Sequence, residues 1–475
     1  MYFKIKDYVM FRQYKDYGYL TDNSMFGYMM LNDSLRMPGE RFVSESGAVM
    51  LGELTKEPKD IEIIINALLD IFVDVNYEEL KQDTIDFFMQ FVNEGFLSVG
   101  NSVDECLDFK SEGEYINNSE IKNEVVVDDC SKHIFSQNDF LRSLHIEIAN
   151  ECNERCLHCY IPHELKTKTI DSSLFFKIVG EGRDLNILNV TLSGGEPLLH
   201  RDFVGFLKRC RELDLSVNVL TNLTLLTDEI IEEMVKNPLL CVQTSIYSMN
   251  PEIHDTITKM KGSLEKTKTN VLKLLNMGIP VQISCPVMKQ NKDSFGEVVS
   301  WGKEHNITVA TDYVIFASYD HTSCNLVNRL SLEEVNEVFD SQLTKEYADY
   351  LYDSAKEKYA MTADDPICSI CRYYLCISAE GDVFPCVGWQ NNKLGNLQEK
   401  SIKEIWQDSS EIKCLREIKR NSFPRCVSCE DRGYCTVCMM NNSNENEDAF
   451  RINEFHCKVA AVMRSRVESI IEMKE

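Results

Sequence analysis

The sequence predicts an α/β protein centred on a partial barrel of six strand–helix units, and three observations carry that prediction. Between Leu144 and Phe316, six segments that read as strands alternate with helical patterns. Residues 1–100 differ in style, with strand patterns at both ends and helical patterns between them. Twelve of the 19 cysteines fall in two spaced groups, at 152–159 and 368–457. At 475 residues the chain exceeds the size at which one core usually stops growing. The expected divisions are a small unit over 1–100, a linker over 101–138, the barrel over 139–355 and a cysteine-rich domain over 360–465.

Each element has its own signal. Tyr2 to Tyr28 is rich in Tyr, Phe, Val and Met, with polar turns at Lys15-Asp16 or Thr21-Asp22-Asn23, which predicts a hairpin. In Tyr77–Glu94, Ile85, Phe88, Met89 and Val92 follow helical spacing, and Gly95 is a natural stop. Phe96–Val99 reads as a closing strand. Strands at the ends with helices between them fit a winged helix-turn-helix unit. Residues 101–138 are polar and acidic without a clear period, the composition of a linker.

The barrel opens with Leu144, Ile146 and Ile148 alternating with His145 and Glu147. Further strands are expected at Asn189–Ser193, Leu215–Thr221, Cys241–Tyr247, Ile279–Val287 and Thr308–Phe316. Phe203, Phe206, Leu207 and Cys210 share one helix face, and Ile230, Ile231, Met234 and Val235 mark another. Strands alternating with helices argue for parallel pairing, and right-handed crossovers curl such a series toward a barrel. Six units are too few to close an eight-stranded one.

Composition excludes several function classes. With 50 basic and 76 acidic residues the formal charge is −26, a field that repels phosphate backbones and anionic membranes, so neither is expected as a partner. No apolar run approaches the roughly 18 to 20 residues of a membrane helix. The amino-terminal segment lacks the apolar stretch of a secretory signal, so a cytoplasmic location is expected. In a reducing compartment, cysteines at short fixed spacings mean metal, not disulfides. Cys106, Cys130, Cys210, Cys241, Cys285, Cys324 and Cys414 stand apart and mostly read as small buried hydrophobes.

Cys152, Cys156 and Cys159 lie in a loop directly after the first barrel strand, spaced by three and two residues. Three thiolates suit three irons of a cubane [4Fe–4S] cluster, which usually takes four ligands, so one iron stays open to chelate a small molecule. A zinc site using His158 is the alternative, although the three-residue spacing is unusual for zinc. After the next strand comes Thr191-Leu192-Ser193-Gly194-Gly195-Glu196-Pro197. Two glycines let a backbone approach a ligand closely, and a carboxylate beside them receives an ammonium group.

Together these segments resemble the radical S-adenosylmethionine superfamily. The resemblance implies that Cys152, Cys156 and Cys159 ligate three irons while the amino acid end of S-adenosylmethionine chelates the fourth. It places Gly194, Gly195 and Glu196 at the methionine amino group, His158 near the adenine and Ser245 at the ribose or methionine. His254-Asp255-Thr256-Ile257-Thr258 stands where some members carry His-Asp-x-x-Arg, so an arginine contact is missing. Helix capping explains His254 and Asp255 equally well.

The second group comprises Cys368, Cys371, Cys376 and Cys386, then Cys426, Cys429, Cys435 and Cys438, and last Cys457. It resembles the SPASM domain, which binds auxiliary [4Fe–4S] clusters; zinc-ribbon sites are the alternative that spacing alone allows. The likeness implies one cluster on Cys368, Cys371, Cys386 and Cys438 and another on Cys426, Cys429, Cys435 and Cys457, three clusters in all with the first. Cys376 is a spare thiol, and two residues separate Cys435 from Cys438 where the family usually has three. The amino-terminal unit resembles the peptide-recognition winged helix of ribosomal peptide maturases. The whole resemblance implies a radical enzyme that acts on a cysteine-containing precursor peptide with a leader, fed by a flavodoxin- or ferredoxin-type reductant, and forms thioether crosslinks. Carbon–carbon crosslinking, sulfatase maturation and an iron–sulfur electron carrier are the alternatives.

Overall fold

The computed structural model describes residues 1–22, 39–108 and 140–472. Six short strands, β1 (Tyr2–Ile5), β2 (Met10–Gln13), β3 (Tyr17–Thr21), β4 (Glu40–Ser44), β5 (Lys59–Asp60) and β6 (Leu97–Gly100), build two three-stranded antiparallel sheets. The predicted turn at Lys15-Asp16 forms: the Tyr14 amide donates to the Tyr17 carbonyl at 2.8 Å and closes the β2–β3 hairpin, while the alternative at Thr21-Asp22-Asn23 runs out of the described residues at Asn23. The helix Tyr77–Asn93 starts on Asn76, whose side chain accepts from the Glu78 and Glu79 amides. Its buried face is Leu80, Thr84, Phe88, Phe91 and Val92, so the predicted Ile85 and Met89 sit at the rim of that face. A further helix, Val103–Leu107, lies inside the predicted linker and buries Cys106. Most of that linker, Cys130 included, is outside the described residues.

The six barrel strands form where expected: β7 (Ser143–Ala149), β8 (Asn189–Gly194), β9 (Ser216–Leu220), β10 (Leu240–Ser245), β11 (Val281–Pro286) and β12 (Thr308–Asp312). They are parallel and neighbour one another in chain order. Period-two alternation sends Leu144, Ile146, Ile148, Val190, Leu192, Val217, Val219, Val242 and Ile283 into the core beneath the helices, where Phe175, Phe206 and Leu207 meet them. Full burial of such side chains is worth about 1.5–3 kcal/mol each. The opposite face carries His145, Glu147, Thr191, Ser193, Asn218, Gln243, Ser245, Gln282 and Ser284. That face is polar and mostly uncharged.

The sheet does not stop at β7. β13 (Tyr374–Ile377) pairs with it in parallel, and β14 (Asp382–Phe384) and β15 (Gly395–Asn396) extend it antiparallel to a mixed sheet of nine strands. Short cysteine-bearing strands carry little periodicity, which is why this continuity was not predicted. One hydrophobic core accordingly runs from Leu144 to Trp406 and Val467. The last helix, Glu454–Glu472, runs past the expected boundary at 465.

The amino-terminal unit docks on the loops that enter the barrel strands. Met10 and Tyr19 pack against Leu188 and Leu239, which precede β8 and β10. Arg12, fully buried, donates to the Ile187 carbonyl at 3.0 Å and pairs with Asp214 at 3.0 Å. Among the described residues no helix is long and apolar enough to cross a membrane.

Candidate active site

β7 delivers the chain into the loop that holds Cys152, Cys156 and Cys159, all half-buried. Neighbours pin this loop along its length. The Arg155 and Leu157 amides donate to the Thr258 and Ile257 carbonyls at 2.9 and 3.0 Å. Asn328 and Asn325 donate to the Leu157 and His158 carbonyls at 3.0 and 3.3 Å. Asn153 accepts from Asn222 at 2.9 Å and donates to Thr224 at 2.7 Å. The thiols are therefore presented by a preset backbone. Burial pushes the Cys152 thiol up to about 11, and burial together with Glu154 pushes Cys156 up as well. Loading a metal must strip those protons.

Gly194 and Gly195 serve a purpose the sequence did not disclose. A Cβ on Gly194 would stand 1.8 Å from the Ala149 carbonyl oxygen, and one on Gly195 would stand 2.3 Å from that of Glu151. The close approach is to the cysteine loop itself. The Gly195 amide donates to Ala149 at 2.7 Å and the Glu196 amide to Glu151 at 2.8 Å, clamping the two loops together. Gly194 also adopts φ +135°, which side chains rarely tolerate. Both glycines still reach the cavity wall, but Glu196 stands behind it. Its fully buried carboxylate accepts from the Leu198 amide at 3.0 Å, the Thr221 hydroxyl at 2.6 Å and the Asn222 amide at 2.7 Å. Burial outweighs these bonds and raises it to about 7.

A cavity of about 400 Å³ opens at the carboxyl ends of the barrel strands, within the usual range for small-molecule sites. Cys152, Cys156, Cys159, His158, Gly194, Gly195 and Ser245 all line it. The His158 ring meets Tyr247 edge-on at 5.0 Å, its Nε2 lies 3.4 Å from the Tyr247 hydroxyl, and its buried Nδ1 has no partner. Burial holds this imidazole at about 4, hence neutral at pH 7. Thr244 Oγ1 is likewise buried without a partner. Unspent polar atoms beside half-buried thiols suit a polar ligand chelated to a cluster, so the residues fit the expected cofactor.

Sequence reasoning missed Asn222, Gln243, Lys166 and Asp312, which also line the cavity. Binding groups gather at the carboxyl ends of parallel strands, and that rule alone could have found Asn222, Gln243 and Asp312. Glu147 was missed too. It is buried on β7, accepts from Gln390 of the cysteine-rich domain at 2.6 Å and keeps its other oxygen unpartnered. His254 and Asp255 stay out of the cavity. His254 Nδ1 accepts from the Tyr247 amide at 3.2 Å, and Asp255 accepts from the Gly262 and Leu264 amides at 2.5 and 3.2 Å, fixing the start of the helix Ser263–Asn276.

The carboxy-terminal thiols sort into two neighbourhoods by the charges they exert on one another. Cys368 and Cys386 act on Cys371 and on Cys438. Cys426, Cys429 and Cys457 act on Cys435. Cys376, fully buried on β13, lies near Cys386 and Glu147. Among the described residues no three His, Cys, Asp or Glu side chains converge to the spacing of a single metal ion. Of the isolated cysteines, Cys106, Cys210, Cys241 and Cys285 are buried as expected, whereas Cys324 and Cys414 are exposed.

Residues 146–302 match the radical SAM superfamily, and residues 368–431 match SPASM, an iron–sulfur cluster-binding domain. The chain is a radical SAM enzyme whose cofactors are S-adenosylmethionine, a [4Fe–4S] cluster and the iron–sulfur centre of its SPASM domain. Among characterised proteins it is similar to the PqqA peptide cyclase of Methylocella silvestris, 22% identical over 342 residues that cover 66% of this chain and 89% of the relative. It is also similar to the antilisterial bacteriocin subtilosin biosynthesis protein AlbA of Bacillus subtilis, 25% identical over 334 residues, 67% of this chain and 72% of that one. In fold it matches Streptococcus suis SuiB bound to its precursor peptide SuiA, with TM-score 0.61 and 17% identity over 95% of this chain and 99% of that one.

Proposed function

We propose that this enzyme matures a ribosomally made precursor peptide by joining a peptide cysteine sulfur to carbon in a thioether. The observation that carries the reading is the cavity at the carboxyl ends of β7–β12. It is lined by three thiols and by polar strand residues that, Asp312 apart, carry no charge, with the SPASM domain fused to β7 beside it. Cys152, Cys156 and Cys159 would hold the first cluster, and Gly194 and Gly195 the methionine end of the cofactor, with Glu196, predicted to hold it too, instead bracing their loop from behind the cavity wall. His158 would stand at the adenine and Ser245 at the ribose. Bound there, cluster and cofactor supply a 5′-deoxyadenosyl radical that takes hydrogen from an unactivated carbon. Lys166 offers a cation to the methionine carboxylate, and Asn222, Gln243 and Ser284 offer neutral donors and acceptors suited to a peptide backbone.

Two auxiliary clusters, on Cys368, Cys371, Cys386 and Cys438 and on Cys426, Cys429, Cys435 and Cys457, would accept the electron left over. The reaction balances: one C–H and one S–H bond break and one C–S bond forms. Hydrogen would go to the deoxyadenosyl radical, the thiol proton to a base and one electron to the auxiliary clusters. Residues 1–100 would act as a winged-helix domain that captures the leader by strand addition, and 139–355 and 360–465 as barrel and SPASM domains. The reductant would be of flavodoxin or ferredoxin type. That SuiB was crystallised with a precursor peptide, and that a relative is a PqqA peptide cyclase, supports a peptide substrate.

The test is anaerobic reconstitution, reduction and addition of S-adenosylmethionine with a cysteine-containing peptide encoded nearby. The expected products are 5′-deoxyadenosine and a peptide lighter by two hydrogens per crosslink. Deoxyadenosine with an unchanged peptide would point to another substrate. Neither product from iron-replete protein would overturn the reading. Carbon–carbon crosslinking is the second reading, favoured by likeness to a peptide cyclase, and fragmentation of the product separates it from a thioether.

A further inference from the structure

The helix Met439–Asn446 begins directly after Cys438 and is polar where it is most buried: Asn441, Asn442, Ser443 and Asn444 are all inaccessible. Such a run of buried amides is costly unless each is bonded. Their partners show what they hold. The backbone N–H groups of Asn441 and Met440 oppose the rise that burial imposes on the Cys438 thiol. The Asn441 side-chain nitrogen lies 2.9 Å from Nε2 of His456, and its oxygen is buried without a partner. His456 is joined by a peptide bond to Cys457, a thiol of the other neighbourhood. Asn442 accepts from the Asn453 amide at 3.0 Å, and the Cys457 amide in turn points at the Asn453 carbonyl at 3.4 Å, so the two segments cannot shift independently.

We propose that the Asn441–His456 pair is the electronic and positional bridge between the two SPASM clusters, an inference that rests on the assignment of their cysteines above. The route is continuous: Cys438 sulfur, Asn441 amide, Asn441 side chain, His456 ring, Cys457, with one hydrogen bond of 2.9 Å joining side chain to ring. Along it one electron would pass from a cluster held by the Cys438 side to one held by the Cys457 side, the first oxidised by one electron and the second reduced by one. No proton needs to move, because an asparagine amide does not titrate at ordinary pH. Outer partners of this kind tune reduction potential through hydrogen bonds to sulfur.

His456→Phe keeps a ring and deletes both nitrogens; Asn441→Leu keeps the backbone N–H to Cys438 and deletes the amide. His456→Gln restores an amide at the ring position. With iron content matched to wild type, freeze-quenched paramagnetic resonance after partial reduction reads the sharing of electrons between the two clusters. Exchange is expected to slow about tenfold in His456→Phe and Asn441→Leu, by analogy with the smallest losses of affinity or activity that follow removal of an outer partner at a metal centre. It is expected to recover in His456→Gln, and the potential of the Cys438-side cluster is expected to shift in Asn441→Leu. Unchanged exchange and potentials in iron-replete variants would overturn the proposal. The cysteine assignment has its own check, since Cys438→Ala and Cys457→Ala must abolish different cluster signals. If both erase the same signal, the two thiols serve one cluster and the bridge falls with the assignment; distinct signals with unchanged exchange overturn the bridge alone.

Discussion

Glu147 shows how a single side chain trades stability for chemistry. Burial raises its carboxyl to about 7, against an ordinary value of 4.5. A carboxyl raised in the folded state favours folding fully below pH 4.5, and that advantage drains away as pH climbs through 7. At 1.36 kcal/mol per unit, the shift corresponds to roughly 3 kcal/mol. Glu147→Gln is thus expected to lose less stability than wild type between pH 5 and 8, read as the difference in thermal midpoint of the iron-loaded protein. Gly194 makes the opposite case, a residue whose absence of side chain is required. Gly194→Ala is expected to cost about 1–3 kcal/mol in backbone strain alone, and it drives a methyl into Ala149, so the first cluster should assemble poorly. Gly205→Ala is the control, because nothing lies within 4 Å of its Cβ position. Iron assay of the two proteins decides it. The thiols, His158, Ser245 and the glycines were legible because chemistry restricts which residues stand there. Glu147 and Asn441 were not, because a buried carboxylate or amide looks in sequence like any surface one.

Among elements, β13 matters most. By pairing with β7 it covers the edge of the barrel strand that feeds the cysteine loop. An exposed edge is a template for association. A chain ended after Ala360 is expected to aggregate instead of yielding a free barrel, which light scattering on the purified protein would show. β13 also carries Cys376 two residues before Ser378, with the thiol fully buried. Cys376→Ala is expected to retain full iron, whereas Cys386→Ala should lose about one cluster's four irons. Equal losses would make Cys376 a ligand. The six long barrel strands announced themselves through alternation, whereas β13–β15 span four, three and two residues and gave no period to read.

At the scale of the molecule, Arg12 is the latch between the amino-terminal unit and the barrel. It is fully buried and its guanidinium meets Asp214, which Lys56 also engages at 3.3 Å. Arg12→Ala removes the buried cation and leaves Asp214 partly paired, so about 2 kcal/mol of docking energy should vanish. Faster proteolytic release of the amino-terminal unit is the expected sign. The docking loops, at Ile187, Asp214 and Leu239, lie where β8, β9 and β10 begin, whereas the cavity lies where those strands end. A leader held there, as the proposed function has it, would be separated from the reacting residue by about the height of the barrel. β7 has seven residues, and at about 3.3 Å each the barrel is about 20 Å tall. On the proposed function the enzyme would work as a ruler: peptide positions closer than about seven extended residues to the tethered segment would fall short of the radical. The first cysteine a precursor offers would then be chosen by its distance along the chain before its neighbours are read at all.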